Sequence, residues 1–257
     1  MMKYIDLNCD MGESFGAYNL GNDEEVIELI SSANIACGFH AGDPNVMDKT
    51  VKMAKQKGVG IGVHMGYPDL LGFGRRDIDI AKDDLVNYII YQIGALQAFC
   101  KKHGVEIQHV KSHGSMGNMS YVNHTVADAV TDAILHIVPN TKLFVIANTV
   151  IHKLAVEKGI AVVHEVFADR TYTNDGTLVS RKLEGAVIKD PEKAAEQVLQ
   201  MVLEGNVTTI DGNVIDMSAD SICVHGDTQG ALEIVRCVKS KLEENNVIIA
   251  PVGTWLK

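Results

Sequence analysis

The chain has 257 residues, 46% of them hydrophobic, which suits one large domain or two small ones, and single α/β barrels commonly run to about 250 residues. A formal net charge of −10 and a pI near 5.4 argue against a nucleic-acid or anionic-membrane surface, which would need a cationic footprint, and leave small metabolites or protein partners. The cysteines Cys9, Cys37, Cys100, Cys223 and Cys237 form no Cys-x-x-Cys pair, so neither a disulfide framework nor a zinc ribbon is expected and a reducing cytoplasm fits.

A strand pattern starts at Tyr4, leaving no space for a signal peptide, and no apolar run reaches membrane-spanning length; a soluble, cytoplasmic protein is expected. In the first strand, residues 4–10, Ile5, Leu7 and Cys9 alternate with Asp6, Asn8 and Asp10, so the acids and the amide share one face. Turn residues Gly12, Glu13 and Ser14 precede a helix starting near Asn22 or Asp23. The second strand opens at Asn34, with Asn34, Ala36, Gly38 and His40 on one parity and Ile35, Cys37 and Phe39 on the other. Asp43-Pro44 then starts a helix to about Lys57, because Asp caps free amides and Pro suits the first helical position; Gly58 ends it.

The third strand, residues 59–65, sets Gly60, Gly62 and His64 opposite Val59, Ile61, Val63 and Met65, and the glycines leave room for a ligand. Residues 67–77, glycine-rich and carrying Arg75 and Arg76, read as an irregular surface lid. Leu85, Tyr88, Ile89, Ile93, Leu96 and Phe99 recur at helical spacing over 82–103. The fourth strand, 107–113, aligns His109, Lys111 and His113, groups that are expensive to bury without partners. Helix 123–136, strand 142–147, helix 150–158 and strand 160–167 follow, and of His164 and Glu165 only one can face inward. Asp190-Pro191 starts a helix to about Gly205; a hairpin at Asp211-Gly212-Asn213, a seventh strand at 221–225, a helix to about Glu244 and a short strand past Val247 complete the chain.

Strand then helix, repeated seven times without a linker, predicts parallel strands in a single domain spanning 1–257. A doubly wound sheet would carry apolar residues on both strand faces, whereas one parity here holds Asp6, Asn8, Asn34, Gly60, Gly62 and Lys111, which favours a closed barrel with a polar interior. The site then lies at the carboxyl ends of the strands. Apolar runs there reach His40, His64, His113 and His225, beside Asp10, Lys111, Glu165, Cys223 and Asp227. Such a set suits general acid and base work. The same groups, as three histidines or two with a carboxylate, make a divalent metal site. Arg75, Arg76 and Arg170 read equally as a clamp on a carboxylate or phosphate and as surface pairs. Neither Gly-x-x-x-x-Gly-Lys-Ser/Thr nor a strand-linked Gly-x-Gly-x-x-Gly occurs.

Residues 5–10 (IDLNCD), 32–44 (SANIACGFHAGDP), 66–69 (GYPD), 72–76 (GFGRR), 91–96 (YQIGAL), 165–170 (EVFADR) and 223–227 (CVHGD) together resemble the LamB/YcsF family, that of the 5-oxoprolinase A subunit. The resemblance implies an irregular seven-stranded (β/α) barrel of the glycoside hydrolase/deacetylase type. It also implies ATP-dependent opening of 5-oxoproline (pyroglutamate) to L-glutamate with partner subunits B and C, ATP being co-substrate of the complex. Expected roles are Asp10 or His113 as base, Lys111 with His40 or His64 at the oxyanion, and Asn8, Arg75, Arg76, Glu165, Arg170, His225 and Asp227 around the substrate. Where the family usually reads Lys-Pro-His-Gly-Ala-Leu-Tyr-Asn, this chain has Lys111-Ser112-His113-Gly114-Ser115-Met116-Gly117-Asn118, and Met65 replaces a usual proline. The missing aromatic at Gly117 is expected to widen that side of the mouth. A metal-dependent amide hydrolase acting alone and a non-catalytic substrate-binding subunit fit the same residues, and self-association is left open.

Overall fold

The computed structural model describes residues 3–224 and 230–256, so His225 and Asp227 lie outside the described residues. The barrel strands are β1 (Lys3–Met11), β2 (Ser32–Ala36), β3 (Gly60–Met65), β4 (Ile107–Ser112), β5 (Lys142–Val145) and β6 (Val162–Phe167). After the hairpin β7 (Asn206–Thr208) and β8 (Val214–Asp216) come β9 (Ser221–Cys223) and β10 (Val247–Ile249). Among the described residues, β1 to β6 and β9 pair in parallel, and β9 also pairs with β1 (Asp6 to Ser221, Asn8 to Cys223), closing a seven-stranded barrel. The expected tail strand β10 exists, but it pairs with Lys3, Tyr4 and Ile5 below the ring.

The helices are α1 (Asp23–Val26), α2 (Pro44–Lys57), α3 (Lys82–His103), α4 (Gly114–Val122), α5 (His124–Ile137), α6 (Val150–Glu157), α7 (Pro191–Leu199) and α8 (Ala231–Glu244). Their caps follow from sequence: Asp43 accepts from the amides of Asn45 and Val46 at 2.8 and 3.0 Å, and Asp190 does the same for α7. Each such cap contributes about 1 kcal/mol. Leu85, Ile89, Ile93 and Leu96 bury one stripe of α3, each worth about 1.5–3 kcal/mol relative to exposure. No helix among the described residues is long and apolar enough to cross a membrane.

The alternation read from sequence sorts the barrel strands as expected. Ile5, Leu7, Cys9 and Met11 join the apolar core, while Asp6, Asn8 and Asp10 meet side chains of other strands' inner faces. The lower end is apolar, with Phe144, Val163 and Val252 packed against Trp255 and Leu256. Above it Asp6 accepts hydrogen bonds from Ser31, Ser32 and Ser221 at 2.6, 2.6 and 2.5 Å. Burial pushes the Asp6 carboxyl up to about 6 even so, since the three hydroxyls oppose the shift without cancelling it.

His109 forms the next polar layer. Its Nε2 donates to Asn34 Oδ1 at 2.6 Å, its ring stacks on Phe144 at 4.0 Å, and burial pushes it down to about 3. Glycine is required opposite it, because a Cβ on Gly62 would overlap the imidazole. The room these glycines leave is thus taken by the protein's own side chains. The expected surface lid is anchored as well as exposed: Tyr67, Asp69 and Gly74 are buried and Phe73 O holds His113, while Leu70, Leu71 and the stretch from Arg75 to Asp77 stand in solvent.

Candidate active site

Lys111 sits inside the upper barrel, 5% exposed. Its Nζ lies 2.8 Å from Glu165 Oε1 and donates to Asp10 Oδ1, Asn8 Oδ1 and Cys223 Sγ at 3.2, 3.3 and 3.0 Å. Burial pulls the ammonium toward neutrality, but Asp10 and Glu165 outweigh it and keep its proton well above the ordinary lysine range. Asn8 is fixed by donating to Glu165 Oε1 at 3.0 Å and Ser221 at 2.8 Å, and Asn34 by donating to Asn8 and Asp10 at 2.7 and 2.8 Å. Glu165 is the inward member of its pair; His164 turns outward toward Asp220 and His152.

Three imidazoles gather on the cavity side of this network. His64 comes from β3, His113 caps α4 directly after β4, and His40 sits in the turn between β2 and α2. His40 stacks on His113 with centroids 3.7 Å apart, and both meet the His64 ring edge-on. Their fit depends on Gly74, whose φ is +64° and where a Cβ would stand 2.7 Å from His40 Cβ and 2.8 Å from His113 Cδ2. Glu13, buried in the turn after β1, brings Oε1 to 3.5 Å from His40 Nε2 and 3.7 Å from His113 Nδ1.

The protons can be assigned by what each nitrogen faces. His64 Nδ1 is 3.2 Å from Lys111 O, and His113 Nε2 is 2.8 Å from Phe73 O; carbonyls only accept, so both nitrogens donate. The opposite nitrogens, His64 Nε2 and His113 Nδ1, lie 2.9 Å apart. In neutral rings both carry lone pairs, and His64 Nε2 also lies 3.2 Å from Asp10 Oδ2, so the gap between them suits a shared proton or a cation. Protonation is opposed: burial first, then His64, push His113 down to about 3, and burial with His113 and His64 holds His40 well below the usual imidazole range. The ring nitrogens of His40 are buried with no hydrogen-bond partner among the described residues. One donor atom each from Glu13, His40, His64 and His113 lies within 4.8 Å of all the others, and three imidazoles plus a carboxylate are a donor set that fits a divalent transition metal.

A cavity of about 530 Å³ opens beside this cluster. Asp10, His64, Arg75, Lys111, His113 and Arg170, expected from sequence, line it. His40, Asn8 and Glu165 lie beneath, touching the lining groups. Arg76 stands apart, its Nε donating to Asp69 Oδ1 at 2.9 Å. Sequence reasoning took Glu13 for a turn residue and had no helix at α4, whose Asn118 and Tyr121 also form the wall. The only sign of Glu13 was a carboxylate three positions past Asp10. The α4 segment buries Ser115, Met116, Gly117 and Ser120 without an apolar stripe, so no period marked it.

The LamB/YcsF family model matches residues 5–257. A relative from Pyrococcus abyssi, named as the A subunit of 5-oxoprolinase, is 52% identical over 252 residues, covering 98% of this chain and 99% of its own. One of the same name from Natranaerobius thermophilus is 51% identical over 254 residues, covering 99% of each. The crystal structure of a lactam utilization protein from Thermus thermophilus superposes with a TM-score of 0.92 at 41% identity, over 96% of this chain and 99% of that one. A T48 deacetylase shares the fold alone, at TM-score 0.51 and 14% identity over 98% and 89%. With near-complete coverage by the family model and by relatives at half identity, the chain belongs to the LamB/YcsF family.

Proposed function

We propose that this chain is the A component of an ATP-dependent 5-oxoprolinase, opening 5-oxoproline to L-glutamate with partner subunits B and C in the cytoplasm. The observation that carries the reading is the buried Lys111, Asp10 and Glu165 network meeting the histidine cluster at the floor of an arginine-lined cavity, in a chain half identical to relatives of that name. We assign ATP to the partners, which would transfer its phosphoryl group to the lactam oxygen and so make a poor electrophile a good one. In the barrel, water adds to the activated carbon, Asp10 taking its proton while Lys111 offsets the charge developing on oxygen. The ring nitrogen then takes a proton and the C–N bond breaks, leaving an acyl phosphate. A second water releases phosphate and glutamate. Arg75 and Arg170 hold the substrate carboxylate. A divalent cation held by Glu13, His40, His64 and His113 would supply Lewis-acid polarisation when bound.

The test is glutamate formation from 5-oxoproline and ATP by mixtures of the purified subunits, with phosphate release measured separately. Omitting this chain should leave phosphate release without glutamate; glutamate formed at full rate by the partners alone would refute the reading. The histidine and glutamate cluster also favours a second reading, a metal-dependent amide hydrolase acting alone. Turnover of an amide by the isolated chain without ATP would select it.

A further inference from the structure

Tyr121 brings to the cavity a hydroxyl that the fold does not use. It follows Gly117 by four residues, so both lie on one face of α4 and both line the cavity; the side that lacks an aromatic at 117 has one a turn later. The Tyr121 ring packs against the cluster of Ile146, Phe167 and Cys223. Lys111 Nζ reaches the same cluster, 3.0 Å from Cys223 Sγ and 5.4 Å from the centre of the Phe167 ring. Leu178 packs there too, and the next carbonyl, Val179 O, accepts from Arg170 Nη2 at 2.5 Å. Tyr121 thus neighbours Lys111 on one side and Arg170 on the other, and both cations act on its phenol. A buried phenol ordinarily finds a partner, as Tyr172 does by accepting from Phe167 N at 2.7 Å, but the Tyr121 hydroxyl makes no hydrogen bond among the described residues. Burial first, then Glu165, push this phenol up, so it keeps its proton at neutral pH.

In 5-oxoproline the ring nitrogen is bonded on one side to the carbonyl carbon and on the other to the carbon that bears the carboxylate. With the oxygen at Lys111 and the carboxylate at Arg170, the atom in the middle is that nitrogen. We propose that Tyr121 is the proton donor to the leaving ring nitrogen, a further catalytic residue for the 5-oxoprolinase reading on which the proposal rests. As the C–N bond breaks, its electron pair passes to the nitrogen, which gains the phenolic proton. The phenolate, faced by Lys111 and Arg170, is reprotonated through solvent from Asp10, which holds the proton taken from water. The hydroxyl left on carbon gives up its own proton as the carbonyl forms, and that proton completes the ammonium group. Water therefore supplies both protons, and the phenol is restored. Other lining groups suit the step less well: the Ser115 hydroxyl is spent on Asp77, and the guanidinium groups do not part with a proton at neutral pH.

The test is the steady-state kinetics of glutamate formation from 5-oxoproline and ATP by the parent or the Tyr121→Phe chain mixed with the purified partner subunits. Phenylalanine keeps the ring in its cluster and removes only a hydroxyl that holds nothing, so the denaturant midpoint should not move. Loss of a positioned acid should lower kcat by about a hundredfold or more and leave KM within about twofold. Incorporating 3-fluorotyrosine at 121, which keeps both shape and donor, should hold kcat within about tenfold of the parent. A raised KM with unchanged kcat would make Tyr121 a binding group and overturn the acid role. A loss that fluorotyrosine shares in full overturns it as well. Equal kinetics of parent and Tyr121→Phe remove the assignment and leave the 5-oxoprolinase reading intact, whereas a parent chain that yields no glutamate with the partners ends both.

Discussion

His64 Nε2 and His113 Nδ1 face each other at 2.9 Å, while the far nitrogen of each ring donates to a backbone carbonyl, Lys111 O for one and Phe73 O for the other. Each ring is therefore held by its second nitrogen with its lone pair aimed at the other, the arrangement that fixes histidines as metal ligands. Protein purified without chelators should carry about one equivalent of a divalent transition metal by elemental analysis. His64→Asn and His113→Asn should each lose most of it, at least tenfold in affinity. Saturating a stripped sample at about 100 times its dissociation constant should stabilise the fold by about 2.7 kcal/mol in denaturant melts. A stripped sample unaffected by zinc or manganese would show that the cluster shares a proton instead.

Lys111 Nζ bridges two carboxylates, Asp10 at 3.2 Å and the buried Glu165 at 2.8 Å. Lys111→Met keeps the bulk and removes the ammonium that bridges the two acids. The expected loss is about 3–5 kcal/mol of unfolding free energy. Adding Glu165→Gln to Lys111→Met should recover part of it, because the amide no longer needs a cation. Glutamate formation should fall by about a hundredfold or more in both variants, since the group opposing oxyanion charge is gone. Equal stability of parent and Lys111→Met would mean the network carries no such strain.

Much of this was legible because a strand's period of two is unforgiving. Asp6, Asn8 and Asp10 had to share a face, and closure of the barrel turned that face inward, where Asp10 and Asn8 meet Lys111. His64 followed from the same parity in β3, and His113 stands directly beyond the end of β4 as the cap of α4. Residues outside strands were less readable: Glu13 reaches the cluster through a turn and Arg181 reaches the cavity through an irregular segment, and no periodicity governs either. Arg75 and Arg76, adjacent in sequence, separate in space because Asp69 captures the second. Local pattern fixes which face a side chain takes, but a loop's path is set by tertiary contacts such as that between Phe73 O and His113.

Asp6 and His109 titrate in opposite senses in the barrel floor. Asp6 has its folded pKa raised from 3.8 to about 6, so its contribution to stability is full below 3.8 and is lost as pH rises toward 6. His109 has its pKa lowered from 6.5 to about 3, so its contribution is full above 6.5 and is lost as pH falls toward 3. Between about pH 4 and 6 the two nearly cancel, each at about 1.4 kcal/mol per pH unit. Removing one should expose the other. Asp6→Asn should gain on the parent as pH rises through that window, and the deficit of His109→Gln should shrink as pH falls through it. Denaturant midpoints at half-unit steps measure both, and parallel stability curves for parent and variants would contradict the assignment.

Gly62 tests whether the polar layer is packed or merely lined. A Cβ at this position overlaps the His109 imidazole, which is itself held by its 2.6 Å bond to Asn34 and its stack on Phe144. Neither the strand backbone nor the ring has an easy direction to yield. Gly62→Ala should therefore cost about 1–3 kcal/mol from overpacking, with about 1 kcal/mol more if the ring leaves Asn34. Ordinarily alanine would favour a strand over glycine, so the sign itself is informative. In a His109→Ala background the obstruction is gone, and Gly62→Ala should become neutral or stabilising, giving a coupling energy of about 1–3 kcal/mol in a double-mutant cycle. Additive effects would mean that the glycine serves the backbone alone, and that His109 does not define the floor on which Asn34, Asn8 and Asp10 are aligned.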